Sequence, residues 1–275
     1  VSSALEPTEN RVTSLDGTAI AWWTSGQGPP LMLVHGAMGD HTRWAPLLPH
    51  LEPHITAHAL DRRGRGGSGD ALRYELARES EDVAAVVDAI AETSGSQVDV
   101  YGHSHGGFCA LGAAGLTPNV RRLVLYEGWP VPEPQVYALP ADVEARMDAL
   151  LAGGDRDAVL ETAIRTYGMT EEELASLRAA PSWPSRVAAA HTIVREFRAE
   201  AQAKLDLAAA AAITAPVLLI VGAESRDPAR LYAGALVSAL PDARVVVIEG
   251  QGHLADAFAP ATIARHLLGF ISERP

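Results

Sequence analysis

An α/β architecture, a mostly parallel, doubly wound sheet interrupted by one helical insertion, is what this sequence predicts. Three observations lead there. Short apolar runs rich in β-formers alternate with helical patterns along most of the chain. One long stretch, residues 130–212, carries no convincing strand pattern. A strand pattern also runs straight into a helical one through the glycine-bounded turn Val100-Tyr-Gly-His-Ser-His-Gly-Gly107. At 275 residues, 48% of them hydrophobic, the chain exceeds one usual compact domain and has ample material for a core.

Taken in order, residues 11–16 and 19–24 flank Asp16-Gly17, a hairpin signal, and are predicted to pair antiparallel. Residues 31–35, Leu-Met-Leu-Val-His, form a continuous apolar run of the kind found in strands buried on both faces. Further strands are predicted at 55–60, 98–101, 122–126, 217–221 and 244–248, with helices at 75–93, 108–114 and 229–240 and a last one from near Pro260. After Tyr126 the alternation stops. Pro130, Pro132, Pro134, Pro140, Pro181 and Pro184 punctuate alanine-rich helical segments, so 130–212 reads as a helical cap inserted between core halves 1–129 and 213–275. The alanine tract 208–212 belongs to a helix rather than to a linker.

A net charge of −12 argues against a nucleic-acid or anionic-membrane surface and favours a small-molecule partner. Cys109 is the sole cysteine, which excludes an internal disulfide, and its apolar surroundings predict a buried thiol. No run approaches the roughly 18 to 20 apolar residues of a membrane span, and residues 1–7 lack the basic start and apolar stretch of a signal peptide. The expectation is a soluble, cytoplasmic protein.

The turn Gly102-His103-Ser104-His105-Gly106 has the G-x-S-x-G pattern of a nucleophile elbow, in which glycines remove the Cβ atoms that would collide where a strand reverses into a helix. A serine hydroxyl is a poor nucleophile until a base takes its proton, and a histidine base needs an orienting carboxylate. Gly250-Gln-Gly-His253, just after the last strand, supplies the histidine. His103 and His105 flank the serine, but alternate residues at an elbow point in different directions and no third ligand is evident, so packing is expected there rather than a metal pair.

With these residues in view the chain resembles the α/β-hydrolase superfamily over nearly its whole length. Val34-His-Gly-Ala-Met-Gly39 is similar to the family's oxyanion loop, and Asp61-Arg-Arg-Gly-Arg-Gly-Gly-Ser-Gly69 to its loop after the fourth strand. The resemblance implies an α/β-hydrolase fold, Ser104 as nucleophile, His253 as base, and the backbone N–H groups of Ala37 and His105 as the oxyanion hole. It also implies that Arg62, Arg63 and Arg65 brace the fold. Met38 and Trp44, near the oxyanion loop, are expected to touch substrate.

The carboxylate departs from the family pattern. Relatives carry it after the seventh strand, three positions beyond a glycine, where this chain has Ser225. A gap-free count back from His253 reaches Ser225 again, leaving Asp227 beyond the usual position. Glu127, at the end of the sixth strand, is the first candidate; Asp227, Glu224 or no acid at all are the alternatives. The expected activity is cofactor-free hydrolysis of a small, fairly apolar carboxylic ester or lactone through an acyl-enzyme, as in carboxylesterases. Alternatives are thioester, amide or C–C bond hydrolysis, perhydrolysis, acyl transfer, or a ligand-binding receptor that keeps the scaffold without turnover.

Overall fold

The computed structural model describes residues 7–166, 168–225 and 227–273. Eight strands form one sheet: β1 (Thr8–Thr13), β2 (Ala19–Gly26), β3 (Pro30–Val34), β4 (Thr56–Leu60), β5 (Val98–His103), β6 (Val120–Tyr126), β7 (Val217–Gly222) and β8 (Ala243–Ile248). Their spatial order is β1-β2-β4-β3-β5-β6-β7-β8. The β1–β2 and β2–β4 pairs are antiparallel and every later pair is parallel.

Helices cover both faces, which is why the central strands read as unbroken apolar runs. Met32 and Val34 of β3 pack with Val83, Val87 and Cys109 from the helices Leu76–Ser94 and His105–Ala114. Leu31 and Leu33 face the other way, onto a layer holding Leu47, Leu51, Ile263 and Leu267. A strand with alternate residues in two separate cores leaves no solvent face to mark with polar residues.

The first hairpin differs from its prediction. β1 begins at Thr8 and ends at Thr13, so Asp16 lies in the turn rather than the strand. Ser14 N–H closes the loop onto Thr18 O at 2.8 Å, and Asp16 Oδ1 accepts from Thr18 N–H at 3.0 Å. Short polar side chains that bond the backbone two residues on favour turn over strand. Gly17 takes φ 88° inside that turn.

Between β6 and β7 the chain folds into the helices Ala141–Ala152, Arg156–Thr166, Glu171–Ala179, Trp183–Ala188, Ile193–Glu200 and Leu207–Ala211. Among the described residues this segment contains no strand, only an isolated bridge between Val131 and Lys204. It has its own small core of Met147, Leu160, Ile164, Leu174, Ile193 and Phe197, against which Met38 and Leu254 pack from the loops above the sheet. Among the described residues no helix is long and apolar enough to cross a membrane.

Candidate active site

Ser104 joins β5 to the helix His105–Ala114 with φ 53° and ψ −130°, a conformation few non-glycine residues adopt. The surroundings hold it there. Ser104 N–H donates to Tyr126 O at 2.8 Å and Ser104 O accepts from Gly107 N–H at 2.7 Å. A Cβ on Gly106 would lie 2.2 Å from Val34 O, and one on Gly128 would lie 1.7 Å from Ser104 O. The glycines are therefore a condition for β3, β5 and the β6 end to converge on the serine.

His253 lies in the loop after β8, and its Nδ1 is 2.7 Å from Glu127 Oε2. Glu127 directly follows β6 at φ 46°; with Ser104 it is one of two non-glycine residues in the left-handed region among those described. Its carboxylate is fully engaged: Oε1 accepts from Gly222 N–H at 2.6 Å, and Oε2 accepts from the Ser225 hydroxyl at 2.7 Å. Asp227 approaches the same His253 nitrogen at 3.6 Å, closer than the gap-free count allows, because Asp227 N–H folds back onto Ser225 Oγ at 3.1 Å. Burial, then the nearby Glu127 charge, push the Asp227 carboxyl up to about 7 against the pull of His253. Burial alone would lower the His253 imidazole, but the Glu127 hydrogen bond and the charges of Asp227 and Glu127 outweigh it and hold its pKa above the ordinary value.

The loop carrying His253 is pinned from below. Tyr126 OH donates to Gly252 O. His103 is buried, and desolvation followed by the Arg43 charge keeps it neutral, its pKa well below the usual value. The tautomer follows from its partners: Nδ1 accepts from Arg43 Nη1 at 2.8 Å, so Nε2–H donates to His253 O at 2.8 Å. Arg43 Nη2 continues to Asp256 Oδ2 at 2.5 Å.

On the opposite wall, Arg65 Nη1 donates to Ala37 O at 2.7 Å, and a Cβ on Gly36 would come within 2.9 Å of Ser104 Cβ. His35, kept neutral by burial and by Arg62 and Arg65, donates Nδ1–H to Gly36 O at 2.8 Å. The three arginines after β4 all bind carboxylates. Arg62 reaches Glu79 at 2.7 Å and Glu196 at 2.9 Å, Arg63 reaches Asp82 at 2.7 Å, and Arg65 pairs with Glu196. The His105 side chain joins this buried network, with Nδ1 2.7 Å from Glu200 and Nε2 2.9 Å from Tyr74 OH.

Ser104, His253, Ala37 and Met38 line one cavity of about 390 Å³, which Ile164, Leu177, Arg186 and Phe258 also border. Glu224 reaches its rim, with its side chain exposed. Trp44 does not match its expectation: it is fully buried beneath the site, packed edge-on against Tyr101 at 5.5 Å, and borders no part of that cavity. An apolar aromatic on the short helical turn His41–Trp44 is drawn into the layer below the sheet, where its area is removed from water. Sequence reasoning missed Arg43, Asp256, Arg186 and Ser225 as site components. Only Ser225 left a signal, since two independent counts ended on it.

A sequence profile described as "Alpha/beta hydrolase family" matches residues 31–266. An alpha/beta hydrolase from Sphaerobacter thermophilus DSM 20745 is similar in structure, with a TM-score of 0.77 and 35% identity, covering 94% of this chain and 100% of that one. Pimeloyl-[acyl-carrier protein] methyl ester esterase of Xanthomonas campestris pv. campestris (strain B100) is 30% identical over 266 residues, 91% of this chain and 98% of the relative. A shorter match, 38% identical over 106 residues, spans only 28% of the dihydrolipoyllysine-residue acetyltransferase component of an acetoin cleaving system from Pseudomonas putida.

Proposed function

Because the chain belongs to the alpha/beta hydrolase family, we propose that it is a serine hydrolase that cleaves a small carboxylic ester or lactone through an acyl-enzyme. The observation that carries this reading is the 2.7 Å contact between His253 Nδ1 and Glu127 Oε2, on the wall of the cavity that holds Ser104. With Nδ1–H given to Glu127, the other ring nitrogen carries the lone pair, the tautomer a general base needs. Ser104 Oγ adds to the carbonyl carbon as His253 takes its proton. The backbone N–H groups of Ala37 and His105 receive the oxyanion, and that of His105, first in its helix, has no intrahelical acceptor. The leaving alcohol takes the proton from His253, and water then releases the acid by the same steps in reverse order.

Glu127 orients the imidazole, and Asp227, with its carboxyl raised to about 7, adds a partial negative charge beside it. The helices between β6 and β7 serve as a cap over the cavity, with Met38, Ile164, Leu177 and Phe258 as its apolar wall. The name of the Xanthomonas relative, a methyl ester esterase, supports ester chemistry here. A fluorophosphonate probe should add once per chain, at Ser104, and a short-chain p-nitrophenyl ester should turn over until Ser104→Ala abolishes both signals. Labelling that persists in Ser104→Ala removes the assignment.

A further inference from the structure

Arg186 stands on the helix Trp183–Ala188 and borders the cavity that holds Ser104. The buried arginines near the site all meet carboxylates: Arg43 meets Asp256, Arg62 meets Glu79, Arg63 meets Asp82 and Arg65 meets Glu196, while Arg186 itself is half-buried. Arg186 has no carboxylate within salt-bridge reach among the described residues. Its contacts are neutral, with Nη1 donating to Met38 O at 3.1 Å and Nε to Ser182 Oγ at 3.4 Å. A guanidinium offers five N–H donors, so most of its capacity is unspent.

Burial, and then the Arg43 charge, press the Arg186 pKa down to about 10, which still leaves it protonated at neutral pH. A cation partly withdrawn from water with no carboxylate in direct contact is stabilised when an anion enters beside it. The two glutamates on the same wall do not fill that role. Glu173 is engaged in capping its own helix through Thr170, and Glu224 is turned to solvent. Asp256 already balances Arg43. The cavity therefore presents one guanidinium that Asp256 and Asp40 offset only from beyond salt-bridge reach, beside apolar surface from Ile164 and Leu177. That matches a monoanion with a short apolar body better than a phosphate dianion. The planar fork of a guanidinium fits a carboxylate through two parallel hydrogen bonds.

We propose that Arg186 binds a free carboxylate on the substrate, so that the substrate is a hemiester of a short dicarboxylic acid or a lactone bearing a carboxylate. This deepens the hydrolase reading of the same site and rests on it for the turnover arm of the test. Monomethyl succinate, glutarate and adipate are compared with methyl butanoate, pentanoate and hexanoate by acid release. At least one hemiester should exceed its neutral partner in kcat/KM by about tenfold or more. In Arg186→Gln that preference ratio should collapse by at least about tenfold, chiefly through KM, and Arg186→Lys should restore part of it. A ratio unchanged in Arg186→Gln means that the arginine only ties Trp183–Ala188 to the Met38 loop, and overturns the proposal. A binding arm needs no turnover. Calorimetric affinity of Ser104→Ala for glutarate should fall by about tenfold or more when Arg186→Gln is added, and equal affinities overturn the proposal even if no ester is hydrolysed.

Discussion

Two carboxylates face one nitrogen of His253, Glu127 at 2.7 Å and Asp227 at 3.6 Å, and they are not equivalent. Glu127 accepts a backbone and a hydroxyl hydrogen bond, one on each carboxylate oxygen, whereas Asp227 is pushed up to about 7 by burial and by Glu127 itself. Glu127→Gln should lower kcat by about 10²- to 10³-fold, less than the roughly 10⁴-fold seen where a triad has one acid, because Asp227 remains beside the ring. Adding Asp227→Asn should complete the loss. Asp227→Asn alone has a different signature. In the proposed mechanism activity needs neutral His253, whose raised pKa should set the acid limb of kcat/KM above the ordinary value near 6.5. Removing the Asp227 charge lowers that pKa, so the acid limb should move to lower pH while the plateau changes little. An acid limb that stays in place in Asp227→Asn would show that its charge does not reach the ring. Ser104, His253 and Glu127 could be singled out from the sequence because each sits at a fixed offset from a strand end. Arg43 and Arg186 could not, since a lone arginine in a helical stretch has no pattern that separates a wall of a cavity from solvent.

At the level of elements, the glycines decide how closely strands approach. Gly106→Ala would drive a methyl to 2.2 Å from Val34 O and 2.5 Å from His35 O, both backbone atoms that cannot turn aside. The expected cost is about 3 kcal/mol or more, read as a lower urea midpoint. Gly234→Ala is the contrast: that glycine lies in the helix Ala229–Ala239 with nothing within 4 Å, and the change should add about 0.5–1 kcal/mol through helix propensity. Equal midpoints for the two variants would contradict the packing argument. The strands were legible in the sequence because residues 31–34, 217–221 and their neighbours are apolar on both faces. The first hairpin was legible only in outline. Ser14 and Asp16 look like strand continuation until their side chains and backbone are seen closing the turn. The stretch 130–212 announced itself by its prolines, but the number and packing of its helices depend on long-range contacts such as Met38 and Leu254 that no local pattern encodes.

Across the whole molecule, a buried ionic network ties the helix Ile193–Glu200 to the loop after β4. Glu196 meets both Arg62 and Arg65, and Glu200 meets His105. Glu196→Gln leaves two buried guanidinium groups short of a counter-charge and should cost about 3–5 kcal/mol, while Glu196→Gln with Arg65→Met should cost less than the sum of the single changes. Strict additivity in that cycle would mean that the pair is not coupled. Ser104 and Glu127, by contrast, sit at the ends of neighbouring strands joined through backbone. Ser104 N–H is bonded to Tyr126 O, Glu127 comes next, and Gly128 backs directly onto Ser104 O. Heat or denaturant that loosens the helices around Arg186 therefore leaves the Ser104–Glu127 spacing in place until β5 parts from β6, and reaches His253 through its neighbour Leu254. If Arg186 selects the substrate as proposed, rising temperature should erode the preference for hemiesters before it ends turnover.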